Sequence, residues 1–219
     1  MSAKKNENVV TLTGIVEKLS PKKEGNLGVF FFLTLKTVVE NLSLDGTSKI
    51  KEDMHEIIIQ GPSADQLFST IEIGSCITVQ GKRIIRKKIG ENDKAIFSTG
   101  IIAEEFKIVP LDTEHKNSIV VSGEVVSDPI QGKSKSGNAY LFFNVSTVST
   151  LKNNDEKKTV HNIQLWGKSA VLNKKKILTG ETCKVVGILK TEVKNSKAGY
   201  PIYCSSIVAH GTKIESASA

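Results

Sequence analysis

Hydrophobic and polar residues alternate along two segments in the second half of the chain, residues 139–147 and 161–166. Successive side chains of a β-strand point to opposite faces of the sheet, so this alternation predicts two half-buried strands. The side chains predicted to face a core are Leu141, Phe143, Val145, His161, Ile163 and Leu165. The side chains predicted to face outward are Tyr140, Phe142, Asn144, Ser146, Asn162, Gln164 and Trp166. The outward face therefore combines aromatic rings with amides.

Turn signals separate further apolar runs and complete the order of elements in this half. The pattern predicts strands over residues 118–127, 139–150, 159–166, 181–194 and 200–210. A helix is predicted over 169–178, with Gly180 ending it, and polar loops over 132–138 and 152–158. Residues 211–219 are small and polar and are expected to form a loose tail. Five strands with one helix between the third and the fourth are typical of the OB-fold, a small Greek-key barrel.

The first half of the chain repeats this organisation. Residues 55–61 (HEIIIQG) match residues 161–167 (HNIQLWG) at a spacing of 106, and the same spacing pairs Gly81 with Gly187. Nearer the start the spacing is 109–110, which fits a longer loop in the first copy. We therefore predict an all-β chain with one short helix per domain, built as two tandem five-stranded OB-fold Greek-key barrels in domains 1–112 (first copy) and 113–219 (second copy).

The second copy resembles the OB domain of bacterial-type single-stranded DNA-binding proteins. The matching runs are VSGEVVSDP (121–129), SGNAYLFFNVST (136–147), HNIQLWGKSA (161–170), KVVGILKT (184–191) and GYPIYCSSIV (199–208). The first copy is similar, more weakly, through residues 12–19, 30–37 and 55–61. The resemblance implies a protein that coats and protects exposed single-stranded DNA during replication, recombination or repair. Family members with two OB domains per chain form dimers, so it also implies a homodimer with four OB domains.

The charge of the chain is distributed unevenly between the two copies. The net charge is +7, and the sequence pI is about 9.2. Residues 1–112 hold 15 Lys and Arg against 15 Asp and Glu, whereas residues 113–219 hold 15 against 8. The whole excess of positive charge therefore lies in the second copy, where it favours contact with a nucleic-acid backbone.

Binding of single strands without reading their sequence requires flat side chains for base stacking and cations that follow the phosphates. Candidate stacking and polar residues of the second copy are Trp166, Tyr140, Phe142, Asn162 and Gln164. Its candidate phosphate-binding residues are Lys168, Lys133, Lys135, Lys190 and Lys194. Candidates in the first copy are Phe30, Phe32, Lys36, Lys82, Arg83, Arg86, Lys87 and Lys88. The alternative is that the rings lie under a loop or in a subunit interface and that the lysines only solvate the hairpins.

Other residue patterns favour structural roles. Phe97 and Tyr203 occupy matching positions in the last strands and are expected to pack in a core. His55 and His161 also match, and without further ligands at regular spacing they are expected to be packed histidines. The run 174–176 of lysines on the predicted helix is expected to be a solvated face.

The sequence offers no motif for catalysis or for a cofactor. Gly167-Lys168-Ser169 would need a glycine at position 162 to form a phosphate-binding loop, and Asn162 stands there. The three cysteines have no CxxC spacing, so neither a zinc site nor a disulfide framework is expected. We therefore predict a protein that is not an enzyme and that has no cofactor or metal.

The expected location and the competing functions follow from the same sequence. Residues 1–8 are polar, and no apolar run is long enough for a membrane span, so we expect a cytoplasmic protein. It would be nucleoid-associated, or act in the host cytoplasm if a virus or plasmid encodes it. Two alternatives stay open beside single-stranded DNA binding. One is an OB-fold interaction module that joins replication or recombination proteins, and the other is an RNA-binding OB protein.

Overall fold

The computed structural model describes residues 6–26, 28–42, 48–89, 95–150, 156–195 and 201–215. The elements of the first copy are β1 (Glu7–Leu19), β2 (Lys23–Gly25), β3 (Gly28–Leu42), β4 (Ser48–Gln60), α1 (Ser63–Phe68), β5 (Cys76–Ile89) and β6 (Ala95–Val109). Those of the second copy are β7 (Lys116–Val125), β8 (Ile130–Lys133), β9 (Ala139–Thr150), β10 (Glu156–Trp166), α2 (Gly167–Asn173), β11 (Thr182–Asn195) and β12 (Pro201–Glu215).

The strands of each copy follow the same order. In the first copy the order is β2-β3-β4-β6-β5-β1, and pairing of β3 with β1 closes the barrel. In the second copy the corresponding order is β8-β9-β10-β12-β11-β7, closed by pairing of β9 with β7. The pairs β4–β6 and β10–β12 are parallel, whereas the other strand pairs for which the register is given are antiparallel. This closed Greek-key order is the OB-fold, so the predicted fold class is confirmed.

Gly14 and Gly123, and likewise Gly81 and Gly187, are paired by the repeat and lie where neighbouring strands approach closely. A Cβ at Gly14 would overlap the carbonyl oxygen of Lys36, and a Cβ at Gly123 would overlap that of Ser146. Gly81 and Gly187 make the same kind of approach to the backbone of the neighbouring strand. Because the atoms in the way belong to the backbone, they cannot rotate aside. These glycines are therefore required for the barrels to close.

The interiors of both barrels match the predicted alternation except at Ser146, which was predicted to face outward and is buried. Leu141, Phe143 and Val145 are buried, as are His161, Ile163 and Leu165 on the neighbouring strand. In the first copy Phe31, Leu33 and Leu35 occupy the same inner positions and are fully or almost fully buried. The outward-facing side chains of β3, β4, β9 and β10 therefore lie on the outer wall of each barrel.

The predicted elements differ from the structure in four places. The short strand β8 was not predicted; it begins before the polar loop 132–138 and pairs with β9. The predicted loop 152–158 becomes strand at Glu156, because β9 and β10 extend their pairing beyond the barrel. The helix ends at Asn173 rather than Leu178, and β12 continues to Glu215, so residues 211–215 are not a loose tail.

The chain divides into two compact units whose limits differ from the limits of the repeat. The second-copy unit comprises the described parts of Met1–Val9, Ser118–Lys190 and Ser206–Ala219. The first-copy unit comprises the described parts of Val10–Asn117 and Thr191–Ser205. The segment Thr191–Ser205 belongs to the second copy by sequence but packs as part of the first-copy unit. Domains 1–112 and 113–219 stay a prediction about the repeat.

Candidate nucleic-acid interface

Two neighbouring strands of the second-copy unit place the predicted aromatic and amide side chains in one patch. In the β9–β10 register Tyr140 lies opposite Trp166, Phe142 opposite Gln164, and Asn144 opposite Asn162. All six belong to the outward phase of their strands, since the residues between them are buried. The pleat therefore presents them on one wall of the barrel, as the alternation predicted.

The three rings of this patch form one cluster, which we call the platform (Tyr140, Phe142 and Trp166). Tyr140 and Phe142 are stacked, with their centroids 4.6 Å apart and their planes at 20°. Trp166 is tilted against Tyr140 at 5.8 Å and meets Phe142 edge-on at 5.5 Å. Trp166 is the only tryptophan of the chain, and it is 38% exposed. Its ring is thus held by two neighbours and still reaches solvent.

Amide groups continue the patch beyond the rings. The Nδ2 group of Asn162 donates to Oδ1 of Asn144 at 3.0 Å. The Nε2 group of Gln164 donates to Oγ of Ser206 at 3.1 Å. These bonds fix the orientation of side chains that can hydrogen-bond to a nucleotide through their remaining polar atoms.

The predicted cations of the second copy lie on the surface. The exposed side chains are Lys133, Lys135, Lys168, Lys190 and Lys194. Lys194 lies 3.8 Å from the carboxylate of Glu192, which is itself exposed. For the other four, no ion pair is found within the described part of the chain. Their charges are therefore available to phosphate groups.

The first copy presents a different outer face. Phe30 and Phe32 meet edge-to-face at 5.8 Å, and the guanidinium of Arg86 lies 5.4 Å from the centroid of the Phe32 ring. Arg86 also pairs with the carboxylate of Glu56, and partial burial lowers its pKa. One side of Phe32 is thus covered by a cation whose charge is already paired. Gln60 lies opposite Phe30 and supplies no third ring.

The outer face of the first copy also contacts a tyrosine of the same unit. The hydroxyl of Tyr203 is hydrogen-bonded to Oγ1 of Thr34 at 2.8 Å, and both side chains are buried. Thr34 belongs to the same outward phase as Phe32. Tyr203 is therefore packed as predicted, whereas the prediction for Phe97 is wrong, since that ring is 57% exposed.

Three of the six predicted cations of the first copy, Lys36, Lys82 and Arg86, have acidic partners. Lys36 pairs with Glu17, and this carboxylate raises the pKa of Lys36. Lys82 pairs with Glu104 at 2.6 Å. Lys87 is exposed, and Lys88 lies outside the residues whose side chains the structure describes. The neutral charge balance of this copy is thus reflected in local pairs.

The predicted phosphate contact of Arg83 is wrong. Arg83 is fully buried, and it donates from Nε to Oγ of Ser205 at 3.0 Å and from Nη2 to the carbonyl oxygen of Ser205 at 2.7 Å. Burial lowers its pKa to about 10. Its place next to other basic residues in the sequence suggested a surface cluster, but the alternation of β5 turns this one side chain inward. Arg83 therefore binds Ser205, which belongs to the same unit.

The remaining candidate groups are structural. His55 and His161 are buried, and their Nε2 atoms are hydrogen-bonded to Thr37 and Thr147 at 3.0 Å and 2.9 Å. Within the described residues no group of three or more His, Cys, Asp or Glu side chains could hold a metal ion. Of the helices described, none has the length and apolar character that a membrane crossing requires.

Both the sequence and the fold of this chain are similar to known proteins. Residues 116–215 match the profile of the single-strand binding protein family. A sequence search of curated proteins found no match. The fold is similar to that of the wild-type single-stranded DNA binding protein from Thermus aquaticus, with a TM-score of 0.80 and 16% identity over 98% of this chain and 96% of that one. A deletion mutant of the same protein gives a TM-score of 0.81 and 16% identity over 98% and 97%.

The family match spans the whole second OB barrel, and the structural match extends the same architecture across both copies. The resemblance predicted from the sequence is confirmed for the second OB domain, whose residues 116–215 match the single-strand binding protein family.

Proposed function

We propose that this chain binds single-stranded DNA without reading its sequence, and that it coats and protects exposed strands during replication, recombination or repair. It acts by binding alone, as proteins of the single-strand binding family do. The observation that carries the proposal is the platform, where three contacting rings lie on the outer wall of an OB barrel.

The platform supports a mechanism that selects single strands over duplexes. Each base that stacks on an aromatic side chain contributes about 1–3 kcal/mol, whatever the base. Stacking requires an unpaired base face, which a duplex hides. The nearby amides of Asn144, Asn162 and Gln164 are too few to read a sequence over many nucleotides, so binding varies little with base composition.

The lysines of the second copy supply the second part of the mechanism. Lys133, Lys135, Lys168 and Lys190 are exposed and available to follow the phosphates. Neutralising phosphates releases counterions, so affinity falls as the salt concentration rises. The covered rings and paired cations of the first copy support a smaller contribution from that copy.

Titration of the purified protein with oligo-dT, oligo-U and duplex DNA tests this function. The fluorescence of Trp166 reports directly on the platform, because it is the only tryptophan. We expect quenching and tight binding with oligo-dT and weak binding with duplex DNA. Tighter binding to the duplex, or oligo-dT binding that leaves the fluorescence unchanged, would contradict the proposal. Preference for oligo-U would favour the RNA-binding alternative.

We also propose that two chains form a homodimer with four OB domains, which acts on exposed DNA in the cytoplasm. The support is the resemblance to family members that carry two OB domains per chain. Light scattering of the protein alone and with a long oligo-dT measures the mass. A mass of one chain under both conditions would contradict the dimer.

A second candidate function is that of an interaction module for replication or recombination proteins. It is favoured by two apolar side chains of α2, Val171 and Leu172, which are 63% and 68% exposed. The equivalent positions in the first copy carry Asp65 and Gln66, so the fold does not require apolar residues there. If the chain binds neither oligo-dT nor oligo-U, this candidate replaces the first.

A further inference from the structure

On the outer wall, the row of cross-strand neighbours that contains Tyr140 and Trp166 also contains a glycine. In the β8–β9–β10 register Gly132 lies opposite Tyr140, which in turn lies opposite Trp166. The next row contains Ile130, Phe142 and Gln164. Tyr140 is thus the central residue of its row, with a tryptophan on one side and a residue without a side chain on the other.

The ring of Tyr140 occupies the space that a side chain at position 132 would fill. A Cβ at Gly132 would lie 2.6 Å from Cζ and 3.1 Å from Cε1 of Tyr140, and it would overlap the hydroxyl oxygen. Carbon atoms that are not bonded to each other pack at about 3.5–4.0 Å. The ring can keep this position only if residue 132 is glycine.

The position of this ring determines the geometry of the platform. Tyr140 is stacked on Phe142 at 4.6 Å and contacts Trp166 at 5.8 Å. A Cβ at position 132 would therefore push the Tyr140 ring away from its present place in the cluster. Because the atoms in the way are the end of a side chain, the ring can rotate and the barrel can still close. Gly123 differs, since there the obstructing atom belongs to the backbone.

The first copy contains a similar contact. A Cβ at Gly25, in the short strand β2, would lie 3.0 Å from Cε1 and 3.1 Å from Cδ1 of Phe30. The register differs, because Phe30 lies opposite Lys23 rather than Gly25. Both copies therefore place a glycine of the short edge strand against the first outward ring of the next strand.

We infer that Gly132 is a positioning residue of the platform, which acts through Tyr140 by leaving room for its ring. The inference rests on the proposed binding of single-stranded DNA. It predicts that Gly132→Ala keeps the fold, displaces the Tyr140 ring and weakens DNA binding.

A double-mutant cycle in the full chain tests this inference. Gly132→Ala, Tyr140→Ala and the double variant are titrated with fluorescein-labelled oligo-dT, and binding is followed by anisotropy. We expect Gly132→Ala to weaken binding about five- to tenfold, the lower part of the range for one lost base stack. In the Tyr140→Ala background the same change should alter affinity less than about twofold, because the ring through which Gly132 acts is gone. Gln131→Ala is the matched control, an exposed residue of the same short strand that should bind as wild type.

A measurement without DNA separates ring displacement from general damage. The aromatic NMR signals of Tyr140 and Phe142 should shift in Gly132→Ala, while the far-UV circular dichroism stays unchanged. An equal loss of affinity in both backgrounds would overturn the inference, because Gly132 would then act through the backbone. Wild-type affinity in a folded Gly132→Ala protein would also overturn it. Failure of the unmodified protein to bind oligo-dT would instead reject the proposed function, and that result is visible before any variant is made.

Discussion

Replacing Trp166 with glutamine tests the role of the platform in DNA binding. Glutamine is compatible with this position of the fold. The first copy carries Gln60 at the equivalent position, at the end of a strand with the same register. Trp166→Gln removes the most exposed ring of the cluster and leaves the inner face of β10 unchanged. Because the substituted position lies outside the barrel interior, the change should separate DNA affinity from folding.

The expected cost to stability follows from the exposure of the ring. A tryptophan side chain buries about 150–250 Å² when it is fully packed. Since Trp166 is 38% exposed, roughly 100–150 Å² of that area is covered, worth about 3 kcal/mol as an upper estimate. Glutamine covers part of the same surface, so the net loss in the free energy of unfolding should be about 1–2 kcal/mol. Urea unfolding measures this loss.

The expected cost to DNA binding is the loss of one base stack. Affinity for labelled oligo-dT should fall by about 5- to 150-fold, equivalent to about 1–3 kcal/mol. Anisotropy titrations at several salt concentrations should give the same log-log slope for Trp166→Gln and wild type, because the substitution removes no charge. Wild-type affinity in a folded Trp166→Gln protein would refute the assignment of Trp166 to base stacking. A changed slope would show that the substitution disturbs the phosphate contacts instead.

Three further predictions concern the other rings, the cations and a buried histidine. Phe142→Ala should weaken oligo-dT binding several-fold more than Phe32→Ala, since a guanidinium already covers Phe32; equal losses in anisotropy titrations would contradict the asymmetry of the two copies. Replacing Lys133 and Lys135 together with glutamine should flatten the salt slope by about 1.4 if each contacts one phosphate, and an unchanged slope would exclude both from the binding path. Burial lowers the pKa of His55 from 6.5 to about 3, so the neutral form stabilises the fold above pH 6.5 and this stabilisation is lost as the pH falls from 6.5 towards 3. The free energy of urea unfolding should fall by about 1.4 kcal/mol per pH unit through this group, and a His55→Gln variant with the same pH dependence would contradict the assignment.

The fold could be predicted from the sequence because the alternation of apolar and polar residues occurs in both copies of the repeat. The alternation along 139–147 fixes the inner face by packing alone, and the repeat shows the same pattern in the first copy. The short strand β8 was not predicted because it has only four residues and no alternation of apolar and polar residues. It forms by pairing with β9. The extension of β10 to Glu156 likewise depends on its partner strand, and charged residues there suggested a loop.

For the candidate site, the sequence could predict only which side chains point outward, because strand phase determines that direction. The phase of β9 and β10 correctly predicted that Tyr140, Phe142 and Trp166 point outward. It could not show that the three rings touch, because ring contacts depend on cross-strand register. Arg83 was misassigned because a run of basic residues suggests a surface, whereas its burial depends on a hydrogen-bonding partner 122 residues away in the sequence. The role of Gly132 left no signal in the sequence, since a glycine in a polar stretch is typical of any turn.

The two copies show which parts of an OB barrel are free to change. Interior positions obey geometry that is common to both copies, so the close approach at Gly14 recurs at Gly123. Residues at outer positions are constrained only by the groups that contact them. In the first copy Thr34, on the outer wall, is hydrogen-bonded to the buried Tyr203. In the second copy the equivalent wall carries Trp166, which is 38% exposed and which we propose to stack on a base. Under the proposed function, the chain contains the same scaffold twice, with one outer wall used for packing and the other for binding single-stranded DNA.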